Sequence, residues 1–276
     1  MNAFKEQCIA LRKKDYSLAQ ITEVTGRPKT SVFFHIRDIP LSKKKQQLIR
    51  QGYAEHIRKF ALERKGKSLR SFRKFQDWNP ETVLLVSHLL FDGEITSSSC
   101  VYHNRSRALL ERVERLMKNI YEFEPARHAN KKTGVLRISY FNVALSAFFR
   151  EKANELKKTI TTQPLNCKRE FLRAFFDDEG CIDFQLVQRK KRIRGYQKDV
   201  AVLKIVQRLL LSFGISSYLS VPNEVVISGK ENLLKFQKEV NFSPGVRVNG
   251  KRANSRWKKN LEKRKLLELA IHSFRT

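Results

Sequence analysis

The chain has 276 residues, with 56 Lys and Arg against 27 Asp and Glu, a formal net charge of +29 at pH 7. A field of that size repels itself unless a polyanion shares it, so nucleic acid is the expected partner, ahead of an anionic membrane, with DNA and RNA not yet distinguished. No apolar run approaches the ~20 residues of a spanning helix, and the opening MNAFKEQCIALRKK lacks a signal-peptide core. Four cysteines (Cys8, Cys100, Cys167, Cys181) contain no CxxC pair. That spacing argues against a zinc cage or disulfide framework and for reduced thiols in the cytoplasm.

Residues 3–13 read as a helix with Phe4, Cys8, Ile9 and Leu11 on its apolar side. In SLAQITEVTGRPKTSVFFHIRDIP, Ser17 and Gln20 form a capping box, Ile21 and Val24 face inward, and Gly26 marks a left-handed stop. A second short helix starts near Thr30, buries Val32 and Ile36, and ends before Pro40. Helix, glycine turn, helix resembles the helix-turn-helix domains of prokaryotic DNA-binding proteins, although a plain αα-hairpin shows the same pattern. The outward residues of the second helix are Lys29, Thr30, Ser31, Phe33, Phe34 and Arg37, polar groups of the kind that meet base edges and phosphates in a major groove.

From Lys43 to Asp77 there are 12 Lys/Arg and three acids, interleaved with Tyr53, Phe60, Phe72, Phe75 and Trp78. Ile49, Tyr53, Ile57 and Phe60 recur at helical spacing, and GKS at 66–68 is the expected break. Two readings stay open: a phosphate-tracking arm, or a solvated linker whose aromatic residues dock on a neighbouring domain.

Two later stretches match. Leu85-Val-Ser-His-Leu-Leu-Phe-Asp92-Gly93 and Leu172-Arg-Ala-Phe-Phe-Asp-Asp-Glu179-Gly180 are both apolar helices ending in an acid and a glycine, with small residues at Ser87 and Ala174. Val113-Glu-Arg-Leu-Met lines up with Val206-Gln-Arg-Leu-Leu further on. In the second copy, Cys181–Arg189 reads as a strand, KKRIRG as a basic turn, and Asp199–Phe213 as a helix. SSYLSV and EVVISG then read as strands, and Lys230–Val240 as a helix. The first copy shows a hairpin around 94–104, a helix over 106–121, strands near 126–140 and a helix over 143–158. The plan αββαββα therefore occurs twice.

The motif pair, its spacing and the duplicated plan resemble a LAGLIDADG homing endonuclease in its single-chain, two-repeat form, over residues 81–245. The fold class expected is α+β, a pseudo-twofold tandem αββαββα saddle preceded by a small all-α helix-turn-helix module. The divisions expected are the helix-turn-helix at 1–40, a basic helical linker at 41–80, repeats at 81–165 and 166–245, and a basic tail at 246–276. The chain begins with Met and ends SFRT, so a free-standing prokaryotic or archaeal protein is expected rather than an intein.

The resemblance implies sequence-specific double-strand DNA cleavage, with Mg²⁺ (or Mn²⁺) held by Asp92 and Glu179. Phosphodiester hydrolysis needs charge neutralised on the scissile phosphate, and a cation held by carboxylates also lowers the pKa of a bound water. Small residues at Ser87 and Ala174 let the motif helices approach, and Gly93 and Gly180 let the chain turn into the first strand. An acid at a helix C-terminus is disfavoured by the helix dipole, so two of them ask for another reason. By resemblance, Lys198 and Arg105 stand where a residue at the end of the second strand orders water. Lys157, Lys158 or Lys251 stands for the family lysine. Asp177, Asp178 and Glu94 are expected in supporting or solvent-facing places, and His88 as a packed, hydrogen-bonded residue.

DNA contacts are expected from Gln185, Gln188, Arg189, Lys190, Lys191, Arg192, Arg194 and Lys198 on the second hairpin. Their first-copy counterparts are Tyr102, His103, Asn104, Arg105, Lys131, Lys132 and Arg137. The first hairpin, EITSSSCVYHN, is short and sparsely charged, so recognition should lean on the second hairpin and the helix-turn-helix. The expected partner is double-stranded DNA, bound by a monomer with internal pseudo-twofold symmetry and no membrane. A non-cleaving DNA-binding regulator on the same fold, and a maturase acting on structured intron RNA, are the alternatives.

Overall fold

Helix α1 (Ala3–Lys13), α2 (Leu18–Thr25) and α3 (Lys29–Ile36) close around Cys8, Ile21, Val32 and Ile36, with Phe4, Leu11 and Leu18 packed at the edge. The computed structural model describes residues 3–64, 70–185, 188, 190–248 and 261–274. Ser17 accepts from the Gln20 N–H and Gln20 reaches back to Ser17, completing the capping box. Gly26 takes φ 65°, the left-handed region a glycine enters without strain. Val24 departs from expectation, being 55% exposed. Of the α2 residues, Ile21 lies in the small core and Leu18 packs at its edge. Asp15 accepts from the Ser42 N–H at 2.8 Å and from its hydroxyl, fixing the start of α4 (Lys43–Arg64). Along α4, Leu48, Ile49, Tyr53 and Ile57 are all exposed. The predicted break at 66–68 lies outside the described residues.

The chain divides into two compact units, Met1–Leu69 and Arg70–Thr276. In the second, Phe72, Phe75 and Trp78 lie on the large core. Phe75 meets Trp78 and Phe148 edge-on, and Trp78 Nε1 donates to Glu155 at 2.8 Å. For these three aromatic residues the docked reading holds.

The rest of the second unit repeats one plan. The first copy is α5 (Pro80–Phe91), β1 (Gly93–Ile95), β2 (Ser99–Asn104), α6 (Arg107–Lys118), β3 (Ala126–Ala129), β4 (Leu136–Phe141) and α7 (Val143–Thr159). The second is α8 (Leu165–Glu179), β5 (Gly180–Gln185), β6 (Lys190–Tyr196), α9 (Val200–Leu211), β7 (Tyr218–Ser220), β8 (Glu224–Ser228) and α10 (Lys230–Glu239). The two antiparallel sheets have the same order, β1-β2-β4-β3 and β5-β6-β8-β7. One core runs through both copies and takes in Leu266, Leu267, Ala270 and Ile271 of α11 (Lys263–His272).

One element is corrected. KKRIRG is strand β6, not a turn, and it pairs with both β5 and β8. Its period is two, with Ile193 fully buried between Arg192 and Arg194. The density of charge hid the one inward apolar side chain.

Candidate metal and nucleic-acid site

The site begins with two helices lying side by side. Ser87 on α5 and Ala174 on α8 are both fully buried, and Phe91 stacks edge-on against Phe171 and Phe175 across the seam, with centroids 5.3 and 5.2 Å apart. Each helix stops where the next residue must tuck back over its last turn. A Cβ at Gly93 would lie 2.3 Å from the Leu89 carbonyl oxygen, and one at Gly180 2.4 Å from that of Phe176. The glycines are thus required by close approach, since Gly180 has an ordinary extended backbone (φ −90°, ψ 149°).

That stop places Asp92 as the C-cap of α5 and Glu179 as the last residue of α8. Burial pushes the Asp92 carboxyl up to about 8, helped by Asp178 and Glu179. Burial likewise pushes Glu179 up to about 7, helped by Asp178. The ends of the two helices therefore form one crowded acidic centre in which Asp92 feels the charge of Glu179. Asn104 donates to Asp92 Oδ2 at 2.7 Å and opposes the rise.

The cation beside these acids is one the sequence reading missed. Lys263, the first residue of α11, is buried, and its Nζ donates to the carbonyls of Phe176, Asp177 and Gly180 at 3.1, 2.7 and 2.7 Å. It covers the negative end of the α8 dipole and draws down both Asp92 and Glu179. Burial in turn lowers the lysine, against the pull of Asp177, Cys181, Asp178 and Asp92. Replacing it, as in Lys263→Met, leaves three carbonyls unpaired and the acids uncompensated. A loss of about 3 kcal/mol is expected, read as a lower urea midpoint at unchanged slope.

Asp177 and Asp178 are buried rather than solvent-facing. Asp177 accepts from the Ser243 N–H at 2.9 Å and from Arg112 of the first repeat at 3.2 Å. Asp178 accepts from His88 Nδ1 at 2.8 Å and from the Tyr102 hydroxyl at 2.7 Å. Glu94 is exposed, 3.9 Å from His103. Among the described residues no group of three or more His, Cys, Asp or Glu could hold a metal ion by itself. The donor set is two hard carboxylates. It suits Mg²⁺, which keeps several waters and commonly takes its remaining ligands from phosphate.

Residues 166–241, from the start of α8 to the end of α10, match the profile of the LAGLIDADG-like domain. Solved structures similar to the chain include a mesophilic variant of the homing endonuclease I-DmoI, with 17% identity, TM-score 0.47, and coverage of 60% of this chain and 94% of that one. Another is an I-DmoI variant with its target DNA in the presence of Mg, with 19% identity, TM-score 0.46 and coverage of 58% and 95%. Full-length DUF199/WhiA from Thermatoga maritima is a third, with 14% identity, TM-score 0.48 and coverage of 74% and 64%. No curated protein matches the chain.

Strand alternation sorts the basic residues of the second repeat. Lys190, Arg192 and Arg194 share one face of β6, while Lys191 points to the other and donates to the Ser273 carbonyl at 2.6 Å. Arg192 is tied to Asp183 at 2.9 Å, and Arg194 lies between Asp183 and Glu224. Gln185 donates to Asp183 at 2.8 Å. Gln188, Lys190 and Lys198 are exposed. Arg189 and Lys251 lie outside the described residues. In the first repeat, Lys131 and Lys132 are exposed in the turn before β4, and Arg137 faces the same side of its sheet as His103. Arg105 is exposed and donates to the Thr133 carbonyl at 2.9 Å. Lys157 and Lys158 lie in the last turn of α7, and the charges that shift Asp92 and Glu179 include neither of them. In the first unit, Lys29, Thr30, Ser31, Phe33, Phe34 and Arg37 are all exposed on α3, with the Arg37 guanidinium 5.3 Å from the Phe34 ring centroid.

Among the described residues no helix is long and apolar enough to cross a membrane.

Proposed function

We propose that this protein is a Mg²⁺-dependent, sequence-specific double-strand DNA endonuclease that works as a monomer, since one chain supplies both acids. The observation that carries the reading is the pair Asp92 and Glu179, raised to about 8 and 7 by burial and by neighbouring acids on a protein of net charge +29. Two carboxylates held so close at a cost need a counter-cation, and a phosphate backbone completes it. A divalent cation bound there would supply charge neutralisation at the scissile phosphate and a more acidic water.

The protein's own part is positioning. Asp92 and Glu179 present oxygen donors at the ends of packed helices, and Lys263 keeps α8 ending where it does. The open sheet faces carry Lys190, Arg192 and Arg194 in one repeat and His103 and Arg137 in the other, chemistry suited to phosphates and base edges. In the first unit, exposed Lys29 and Arg37 are cations suited to phosphate contacts.

The test is Mg²⁺-dependent cleavage of a library of random duplexes, which should yield one class of sites cut on both strands. Tight duplex binding without cutting, or preference for folded intron RNA over duplex, would overturn the reading. For α3, the double charge reversal Lys29→Glu with Arg37→Glu should weaken duplex affinity and flatten the plot of log affinity against log salt. The slope should fall by roughly one for each phosphate that the protein no longer neutralises. Fluorescence anisotropy at several salt concentrations measures it, and an unchanged slope removes α3 from the footprint.

A further inference from the structure

The two repeats differ where their motif helices meet. Counting back from each acid, His88 stands where the second repeat has Phe175, and Phe91 where it has Asp178. The residue paired with the motif glycine is Tyr102 in the first hairpin and Gly195 in the second. The pseudo-twofold therefore maps a polar set, His88, Asp178 and Tyr102, onto an apolar one, Phe175, Phe91 and Gly195. In the apolar set Phe91 meets Phe175 at 5.2 Å, and Phe175 fills the space a Cβ at Gly195 would need, 2.3 Å from its ring.

The polar set is a connected chain of hydrogen bonds. His88 Nε2 is buried without a partner, so the ring's useful hydrogen bond is the one from Nδ1 to Asp178 at 2.8 Å. The Tyr102 hydroxyl gives its single proton to Asp178 at 2.7 Å. Its oxygen is then an acceptor for Asn104 Nδ2 at 3.3 Å. The other Asn104 N–H goes to Asp92 at 2.7 Å, and its Oδ1 accepts from the Ser106 N–H at 2.8 Å, which fixes which way round the amide sits. The counterpart of Asn104 is Gln197, whose Oε1 accepts from the Asp199 N–H at 3.4 Å. Among the described residues no side-chain hydrogen bond reaches Glu179.

We propose that Tyr102 and Asn104 are positioning residues for Asp92, anchored on Asp178 of the other repeat, so that the two acids are held by different means and the two DNA strands are cut with different sensitivities. This rests on the endonuclease reading. Loss of the polar chain then loosens one acid and leaves the other in place, converting double-strand cutting to nicking.

The experiment follows each strand of a duplex target labelled on both strands. Tyr102→Phe removes only the hydroxyl and keeps the ring against His88, and Asn104→Leu removes the amide. Both should slow the same strand by ~10-fold or more, with nicked product accumulating and the other strand hardly changed. Phe91→Leu, at the counterpart of Asp178, should lower the melting temperature without favouring either strand. Equal slowing of both strands, or no slowing, overturns the proposal. A second arm measures Mn²⁺ affinity by calorimetry, which should fall in Tyr102→Phe and Asn104→Leu and hold in Phe91→Leu. A wild-type protein that binds Mn²⁺ but never cuts ends the endonuclease reading, and the Mn²⁺ comparison then decides the positioning role, with unmoved affinity overturning it. A wild-type protein that binds no Mn²⁺ ends both.

Discussion

Asp92→Asn and Glu179→Gln should each reduce double-strand cutting by ~10³-fold or more, equivalent to about 4 kcal/mol of transition-state stabilisation, while duplex binding is kept. Both substitutions conserve shape and remove one negative charge. In most proteins a loss of activity this large invites the suspicion of unfolding, but here stability should move the opposite way. Both carboxyls are raised by burial and by Asp178, and Asp92 by Glu179 as well, so neutralising either relieves repulsion and desolvation at once. The melting temperature of each metal-free variant at pH 8 should therefore exceed that of the wild type. Duplex affinity in the absence of Mg²⁺ should stay equal or rise, because an acid facing phosphates has been removed. Strand-resolved cleavage, thermal melting and anisotropy on the same preparations separate the outcomes. Variants that cut like the wild type would show that the reacting phosphate lies elsewhere.

Much of the framework was legible because local rules agree with the tertiary solution. The Ser17–Gln20 capping box, the left-handed Gly26 and the acid-glycine endings at 92–93 and 179–180 are each decided within a few residues. The doubled αββαββα plan followed from counting those endings. What escaped was set by distant partners. Arg192 and Arg194 read as free DNA-binding charge, yet Asp183 and Glu224 tie them, and only the sheet register brings those residues together. Lys263 read as part of a basic tail. One signal could have found it: Lys263 stands three and four residues before Leu266 and Leu267, on the same helical stripe as Ala270 and Ile271, so it had to point inward. The exchange of His88 and Phe91 for Phe175 and Asp178 was also visible once the motifs were set side by side. What it meant was not, because a histidine opposite an aspartate becomes an interaction only when the helices touch.

The metal-free protein should lose stability as pH rises from about 4 to about 8, and Mg²⁺ should restore it only in the upper part of that range. Asp92 and Glu179 titrate at about 8 and 7 when folded, against ordinary values of 3.8 and 4.5. In that interval the folded form holds protons that the unfolded chain has already released. The stabilisation is fully present below the unfolded values and is lost as pH rises through the folded ones. Each factor of ten in proton affinity corresponds to about 1.4 kcal/mol, so even after discounting for partial exposure a loss of a few kcal/mol is expected. Other groups titrate in the same window, so the informative quantity is the difference between the wild type and Asp92→Asn/Glu179→Gln. Melting curves at half-unit pH steps in EDTA should diverge above pH 5 and differ most near pH 8. Mg²⁺ binds the ionised pair and must displace protons to do so. At pH 8 it should raise the wild-type melting temperature and leave the double variant alone, whereas at pH 5 it should move neither. Curves that run parallel across the range would mean that the two carboxyls are ordinary solvated acids, and with that the argument for a cation between the helix ends would fail.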